Sequence, residues 1–168
     1  MNSEAVVVDL GTGNLRSVSK ALSFVGHRHR TVISSDPAEI ASAAHLVLPG
    51  QGAIGTWFSQ LSGNHELEKA VLGRLNDGPV LGICLGLQAL YSHSDENDGT
   101  PGLGLLKGKV RHFRSNPRHA SSGDGQQRLK IPHMGWNTVS HACDHPLWHN
   151  IDNHERFYFV HSYYVEST

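Results

Sequence analysis

The chain is 168 residues long, with 14 Lys and Arg against 15 Asp and Glu, 38% hydrophobic residues and a formal net charge of −1. That length matches one soluble globular domain over 1–168, able to bury about 70% of its unfolded surface, and a sequence pI of ≈ 6.9 argues against a general nucleic-acid binder, which carries a basic excess. No apolar run approaches the ~18 residues of a membrane span, Met1-Asn2-Ser3-Glu4 opens no secretory leader, and Cys84 with Cys143 cannot build a disulfide framework, so a cytoplasmic protein is expected.

Val6 to Leu10 is a short apolar run closed by Gly11-Thr12-Gly13, the pattern of a buried strand entering a tight turn. Leu15, Val18, Leu22 and Val25 then recur at helical spacing, with Gly26 as the stop. Arg30 to Ile33 suits a second strand, and Asp36-Pro37 is an N-cap followed by proline at the first helical position, opening a helix through Ala44. His45 to Leu48 predicts a third strand ending in Pro49-Gly50-Gln51-Gly52. A helix from about His65 to Leu75 leads through Asp77-Gly78 to a strand over Pro79–Ile83, and Gln88 to Tyr91 is helix-like. Strands alternating with helices predict an α/β fold, a mainly parallel sheet flanked by helices. Function in such sheets collects at the carboxyl ends of strands, here the turns beginning at Gly11, Gly50 and Cys84.

The second half changes character. Residues 92–102 and Ser115 to Gln127 read as polar loops, and Leu103 to Phe113 suggests antiparallel strands. Ile131 to Asn137 brings apolar bulk beside a proline and a glycine, and Phe157 to Tyr164 is the most strand-prone stretch of the chain. No internal repeat and no linker defines a second domain.

The strongest chemical signal is Gly82-Ile83-Cys84-Leu85-Gly86-Leu87-Gln88, after a predicted strand and before a helix. A nucleophile at a strand-to-helix turn needs small neighbours, because the turn is sharp and backbones crowd it. A helix N-terminus beyond the cysteine favours the thiolate, and the Leu85 N–H can point at a developing oxyanion. The plainer reading is a small buried cysteine at a glycine-rich turn; the strand–turn–helix setting favours the nucleophile. Pro49-Gly50-Gln51-Gly52, a mere turn when taken alone, becomes a second oxyanion donor beside a nucleophile on a nearby strand.

These motifs, together with Gly11-Thr12-Gly13-Asn14-Leu15-Arg16-Ser17, Ile131-Pro132-His133-Met134-Gly135-Trp136-Asn137 and Tyr158-Phe159-Val160-His161-Ser162-Tyr163, stand in the order of one family. The chain resembles the glutaminase subunit of imidazole glycerol phosphate synthase, a class I triad glutamine amidotransferase of histidine biosynthesis with a flavodoxin-like sheet. The resemblance implies that Cys84 attacks the side-chain amide of glutamine, releasing ammonia and leaving a thioester. Leu85 and the Gly50-Gln51-Gly52 loop would form the oxyanion hole. Gln88 and the His161-Ser162-Tyr163 backbone would hold glutamine. Asn14 and Pro132, His133, Met134, Gly135 and Trp136 would face a (β/α)8-barrel cyclase, to which ammonia passes for making imidazole glycerol phosphate. No metal and no organic cofactor is implied.

The resemblance departs at the triad. The family's base and its orienting group stand in a C-terminal H-x-E motif beyond the F-V-H-S-Y strand, whereas this sequence stops at Val165-Glu166-Ser167-Thr168. The C-terminal strands with the catalytic His and Glu are therefore expected to be missing, and the alternative function is a truncated or catalytically dead binding subunit that keeps the cyclase surface. Gln51 replaces the compact apolar residue usual between the two glycines. His141, Cys143, His145, His149 and His154 cluster, but Pro146 breaks their spacing, and solvated loop histidines are the better account. Asp95 to Gly99 fails the calcium-loop pattern at Leu106, and Arg16 occupies the third glycine position of a dinucleotide fingerprint. Lys107, Lys109, Arg111, Arg114, Arg118, Arg128 and Lys130, opposed only by Asp124, form either a solvated face or a basic docking face.

Overall fold

The computed structural model describes residues 4–26, 30–116 and 130–167. Arg118, Asp124 and Arg128, with most of the predicted polar loop from Ser115 to Gln127, lie outside the described residues. The described chain divides into two compact units, Met1–Val110 with Val165–Thr168, and Arg111–Tyr164.

The first unit is built on β1 (Glu4–Val8), β2 (Arg30–Ser34), β3 (His45–Leu48) and β4 (Val80–Gly82), all parallel, in the order β2-β1-β3-β4. This is the doubly wound arrangement, and its chain reversal leaves a crevice outside the carboxyl ends of β1 and β3. Helix α1 (Leu15–Val25) starts where Asn14 Oδ1 accepts from Ser17 N and stops where Gly26 N donates to Leu22 O. Helix α2 (Pro37–Ala41) opens on the Asp36 cap, as its sequence predicts, but ends three residues before Ala44. The Ser42 hydroxyl donates to the Ala38 carbonyl, and Ala44 N donates to Glu4 O of β1, so the chain is already entering the sheet. Helix α4 (His65–Asp77) begins at its Asn64 cap. Among the described residues no helix is long and apolar enough to cross a membrane.

Alternation along the strands gives the sheet two unlike faces. Val6, Val8, Leu46 and Leu48 pack with Ile40 of α2, Leu67 and Val71 of α4, and Ile54, Trp57 and Leu61 of a further helix, α3 (Ile54–Ser62). The opposite row runs Ile33, Val7, Val47, Leu81 across the paired strands. Its middle is buried, while Ile33 and Leu81 at the margins are 36% and 37% exposed. On this side α1 lies along β1 and β2, and no residue of α1 is fully buried.

After the short helix α5 (Leu85–Ala89) come β5 (His93–Ser94), a 3-10 turn at Glu96–Asp98, β6 (Thr100–Pro101) and β7 (Gly108–His112). Antiparallel strands occur in this half, as the composition of Leu103 to Phe113 suggests, within a mixed sheet: β5 is antiparallel to β6 and parallel to β7. Residues 103–106 form no strand of their own: their N–H groups donate to the Ala89, Tyr91 and Leu90 carbonyls just after α5, and Leu106 makes only an isolated parallel bridge to Tyr91. A second sheet has the order β10-β7-β5-β6, where β10 is Tyr163–Ser167. In the second unit β8 (His133–Thr138) and β9 (Arg156–His161) form an antiparallel pair with His133 opposite His161 and Trp136 opposite Tyr158. The strand-prone run from Phe157 is thus broken at Ser162.

The two faces differ in what they contribute. Leu46→Ala, at a fully buried position, is expected to cost about 3 kcal/mol in urea unfolding, and Leu81→Ala less than about 1.5 kcal/mol, because its side chain already meets water.

Candidate active site

Three strand ends meet at the carboxyl edge of the parallel sheet. β4 ends at Gly82, Ile83 N donates to Leu48 O of β3 at 2.9 Å, and the chain then turns into α5 at Cys84. Cys84 has φ 55 and ψ −110, a conformation that costs a residue with a β-carbon roughly 1–3 kcal/mol. Both flanking glycines are required by space. A β-carbon on Gly82 would lie 2.7 Å from the Leu87 backbone, and one on Gly86 would overlap the Leu48 carbonyl oxygen. This is the geometry of a nucleophile elbow. It leaves Cys84 exposed at the tip, and among the described residues no hydrogen bond or ion pair reaches its thiol.

The Gly50-Gln51-Gly52 loop lies against this elbow. A β-carbon on Gly50 would come 2.8 Å from both Leu85 Cβ and Trp57 Cδ1, so only glycine lets the loop approach so closely. Gly52 has φ +91, which glycine alone adopts freely. Among the described residues no acceptor meets the N–H of Leu85, Gly50, Gln51 or Gly52. Free backbone donors beside an exposed thiol are what an oxyanion hole consists of. Gln88 stands one helical turn beyond Cys84, its N–H donating to the Cys84 carbonyl at 3.0 Å. Its side-chain Oε1 is buried without a partner, as is the Thr12 hydroxyl in the loop after β1. Buried polar atoms left unpaired mark a place where a ligand's donors belong.

The other predicted residues belong to the second unit, except Asn14, whose side chain caps α1. His161 Nδ1 lies 2.7 Å from the Tyr163 carbonyl and therefore carries the proton; His161 Nε2 accepts from His133 Nδ1 at 3.0 Å. Both nitrogens of His161 are thus engaged within the unit, which argues against its acting as a substitute base. The Ser162 carbonyl accepts from Phe113 N at 3.1 Å. Met134 and Trp136 share one face of the hairpin with Val160 and Tyr158, whereas His133 turns to the other, stacked on Phe159. The exposed face carries Trp136 at 62% and Tyr158 at 57%, edge to face, with the Arg156 guanidinium over the indole. Pro132 is exposed and Gly135 partly buried beside it. Of the loop histidines, His145 and His154 spend a ring nitrogen on Leu147 N and Ser140 Oγ, and His141 stacks on Trp148.

Residues 6–168 match the family model described as glutamine amidotransferase class-I. The imidazole glycerol phosphate synthase subunit HisH of Thiobacillus denitrificans is 45% identical over 168 residues, covering 100% of this chain and 72% of that protein. HisH 1 of Pseudomonas aeruginosa is 47% identical, covering 99% of this chain and 75% of its own. HisH of Nitrosomonas europaea is 48% identical, covering 98% and 75%. The chain belongs to the class I glutamine amidotransferases, among the HisH subunits. In structure this amidotransferase chain is similar to a GMP synthase subunit from Thermoplasma acidophilum, with a TM-score of 0.59, 17% identity and coverage of 98% and 67%. At that identity the likeness speaks for the fold alone.

Two participants escape a reading of the sequence. Helix α3 has no strong cap signal, although Ile54, Trp57, Phe58 and Leu61 fall at helical spacing; its Trp57 Nε1 donates to the Pro49 carbonyl at 3.1 Å and anchors the glycine loop. Glu96 stands in a stretch that reads only as a failed calcium loop, yet its carboxylate accepts from Ile54 N at 2.9 Å. No local pattern announces a contact between residues so far apart in sequence.

The strain at the elbow has a measurable sign. In an ordinary position Gly is less stable than Ala by about 0.5–1 kcal/mol. Here Cys84→Gly is expected to be more stable than Cys84→Ala by roughly 1 kcal/mol in denaturant unfolding; the ordinary order would contradict a strained elbow.

Proposed function

We propose that this chain is a glutaminase subunit that delivers ammonia to a cyclase making imidazole glycerol phosphate in histidine biosynthesis, in the cytoplasm. The observation that carries the reading is the strained Cys84 elbow beside the unpaired Leu85 and Gly50–Gly52 N–H groups. The Cys84 sulfur attacks the side-chain amide carbon of glutamine, and the oxygen that gains the charge is met by the Leu85 N–H and the glycine loop. The carbon–nitrogen bond then breaks, the nitrogen takes the proton that the thiol gave up and leaves as ammonia, and a thioester remains. Water hydrolyses it to glutamate and returns the thiol. Gln88 Oε1 accepts from the bound glutamine. No metal or organic cofactor takes part.

A cysteine nucleophile also needs a base, and none reaches the thiol among the described residues. That observation favours a second reading for residues 1–168 taken alone, a subunit that binds the cyclase and captures an electrophile once without turning over. We expect a chloroketone analogue of glutamine to label Cys84 stoichiometrically in mass spectrometry, free glutamine to protect it, and Cys84→Ala to remove the label. Glutamate release by residues 1–168 mixed with the cyclase is expected to stay near background. Brisk release that depends on Cys84 would reject the second reading.

The partner surface rests on the exposed apolar face of β8 and β9, where Met134, Trp136, Tyr158 and Val160 lie together. Exposed aromatic residues with a neighbouring Arg are the composition of binding hot spots. Trp136→Ala is expected to weaken cyclase binding by at least about tenfold in calorimetric titration, with little change in melting temperature, since the indole buries little of itself in the free chain.

A further inference from the structure

Helix α3 has no cap of its own. Its N-cap is Ala53, which cannot accept a hydrogen bond through its side chain, and its first residue, Ile54, is 1% exposed, so its N–H has no recourse to water. The acceptor comes from 42 positions further along: Glu96 Oε2, 2.9 Å from Ile54 N. A carboxylate there also opposes the positive end of the nine-residue helix.

Glu96 is itself held. Its N–H donates to the hydroxyl of buried Ser94, its carbonyl accepts from the Thr100 hydroxyl, and the next residue, Asn97, packs its Nδ2 against the backbone of Gly55. The glycine loop is therefore gripped at both ends: Trp57 Nε1 holds the Pro49 carbonyl and Glu96 holds the Ile54 N–H. Between the two grips lie only Gly50, Gln51, Gly52 and Ala53, and two glycines in that span leave its peptides loose unless the ends are set. We propose that Glu96 is a positioning residue for the oxyanion loop, setting the loop's distal end through the start of α3. This rests on the glutaminase reading, because only that reading gives the loop an oxyanion to meet.

The test separates the contact from the chemistry. Amide hydrogen exchange at Ile54 reads the contact, and is expected to rise about tenfold in Glu96→Ala while the sheet amides keep their protection. The chemistry is read as the rate at which a glutamine chloroketone labels Cys84, divided by the rate for iodoacetamide. The chloroketone carbonyl develops a negative oxygen, whereas displacement on iodoacetamide does not, so the ratio reports the loop and not the thiol. Glu96→Ala is expected to lower this ratio at least about fivefold. Glu96→Gln, which keeps an acceptor oxygen, should stay within about twofold of the parent. Ala53→Asp added to Glu96→Ala places a carboxylate on the Gly55 and Thr56 N–H groups and fixes the same helix end, so it should restore part of the ratio while exchange at Ile54 stays raised.

Unchanged Ile54 exchange in Glu96→Ala would overturn the positioning role whatever the labelling shows. So would a lowered ratio that Ala53→Asp leaves unrepaired, since that marks direct contact between Glu96 and the ligand. If the parent chain itself shows no preference for the chloroketone and no protection by glutamine, the glutaminase reading fails, and the exchange data still show whether Glu96 holds the helix.

Discussion

Residues 82 and 86 have no room for a β-carbon, and the arrangement of the whole carboxyl edge follows from that. Gly82 must let the start of α5 pass, and Gly86 must sit on the Leu48 carbonyl, for the chain to reverse within so few residues. The turn is possible only in the observed register, where Leu48 stands opposite Gly82. A slip of one residue would set a leucine against that carbonyl and turn every side chain of β4 to the wrong face. Burial of the strand residues on the α2–α3–α4 side keeps the register, so the hydrophobic core and the strained cysteine are parts of one constraint. The core supplies the free energy, and the elbow stores a little of it at the thiol.

The same division of labour recurs in the glycine loop and in the hairpin. In the loop, small residues allow close approach while large ones at its margins, Trp57 and Glu96, supply the order. In the hairpin, alternation sends His133, His161 and Phe159 to one side and Met134, Trp136, Tyr158 and Val160 to the other. One side is committed to internal hydrogen bonds and stacking, and its partner is left for another surface.

Periodic elements are the legible part of the fold. The β1–α1–β2 sequence, the Asp36 cap, α4 and the strand before Cys84 all follow from apolar spacing and from residues with one strong local preference. The elbow is legible because glycine at both flanks of a cysteine has a steric meaning that does not depend on the rest of the chain. Contacts across sequence are not legible: residues 103–106 have the composition of a strand, but the carbonyls at the end of α5 take their N–H groups first. The break at Ser162 is hidden for the same reason, since strand propensity runs through it and only the choice of ladder decides where β9 ends. The role of Gln88 comes from family likeness, and the structure adds the physical ground, an orphaned acceptor one turn from the thiol.

Helix α1 has a strongly apolar stripe and yet no fully buried residue, while α3 and α4 send several side chains to full burial. Free energy of local opening scales with what an element must expose, so the two sides of the sheet do not share one stability. The loop that leads into α1 carries Gly13, where a β-carbon would lie 3.9 Å from the backbone of Gly50. That loop is thus the soft wall of the site and the glycine loop, braced by α3, is the hard one. Fraying of α1 exposes little and disturbs the core little, and it gives the crevice at the carboxyl ends of β1 and β3 a side that can yield while the glycine loop keeps its place.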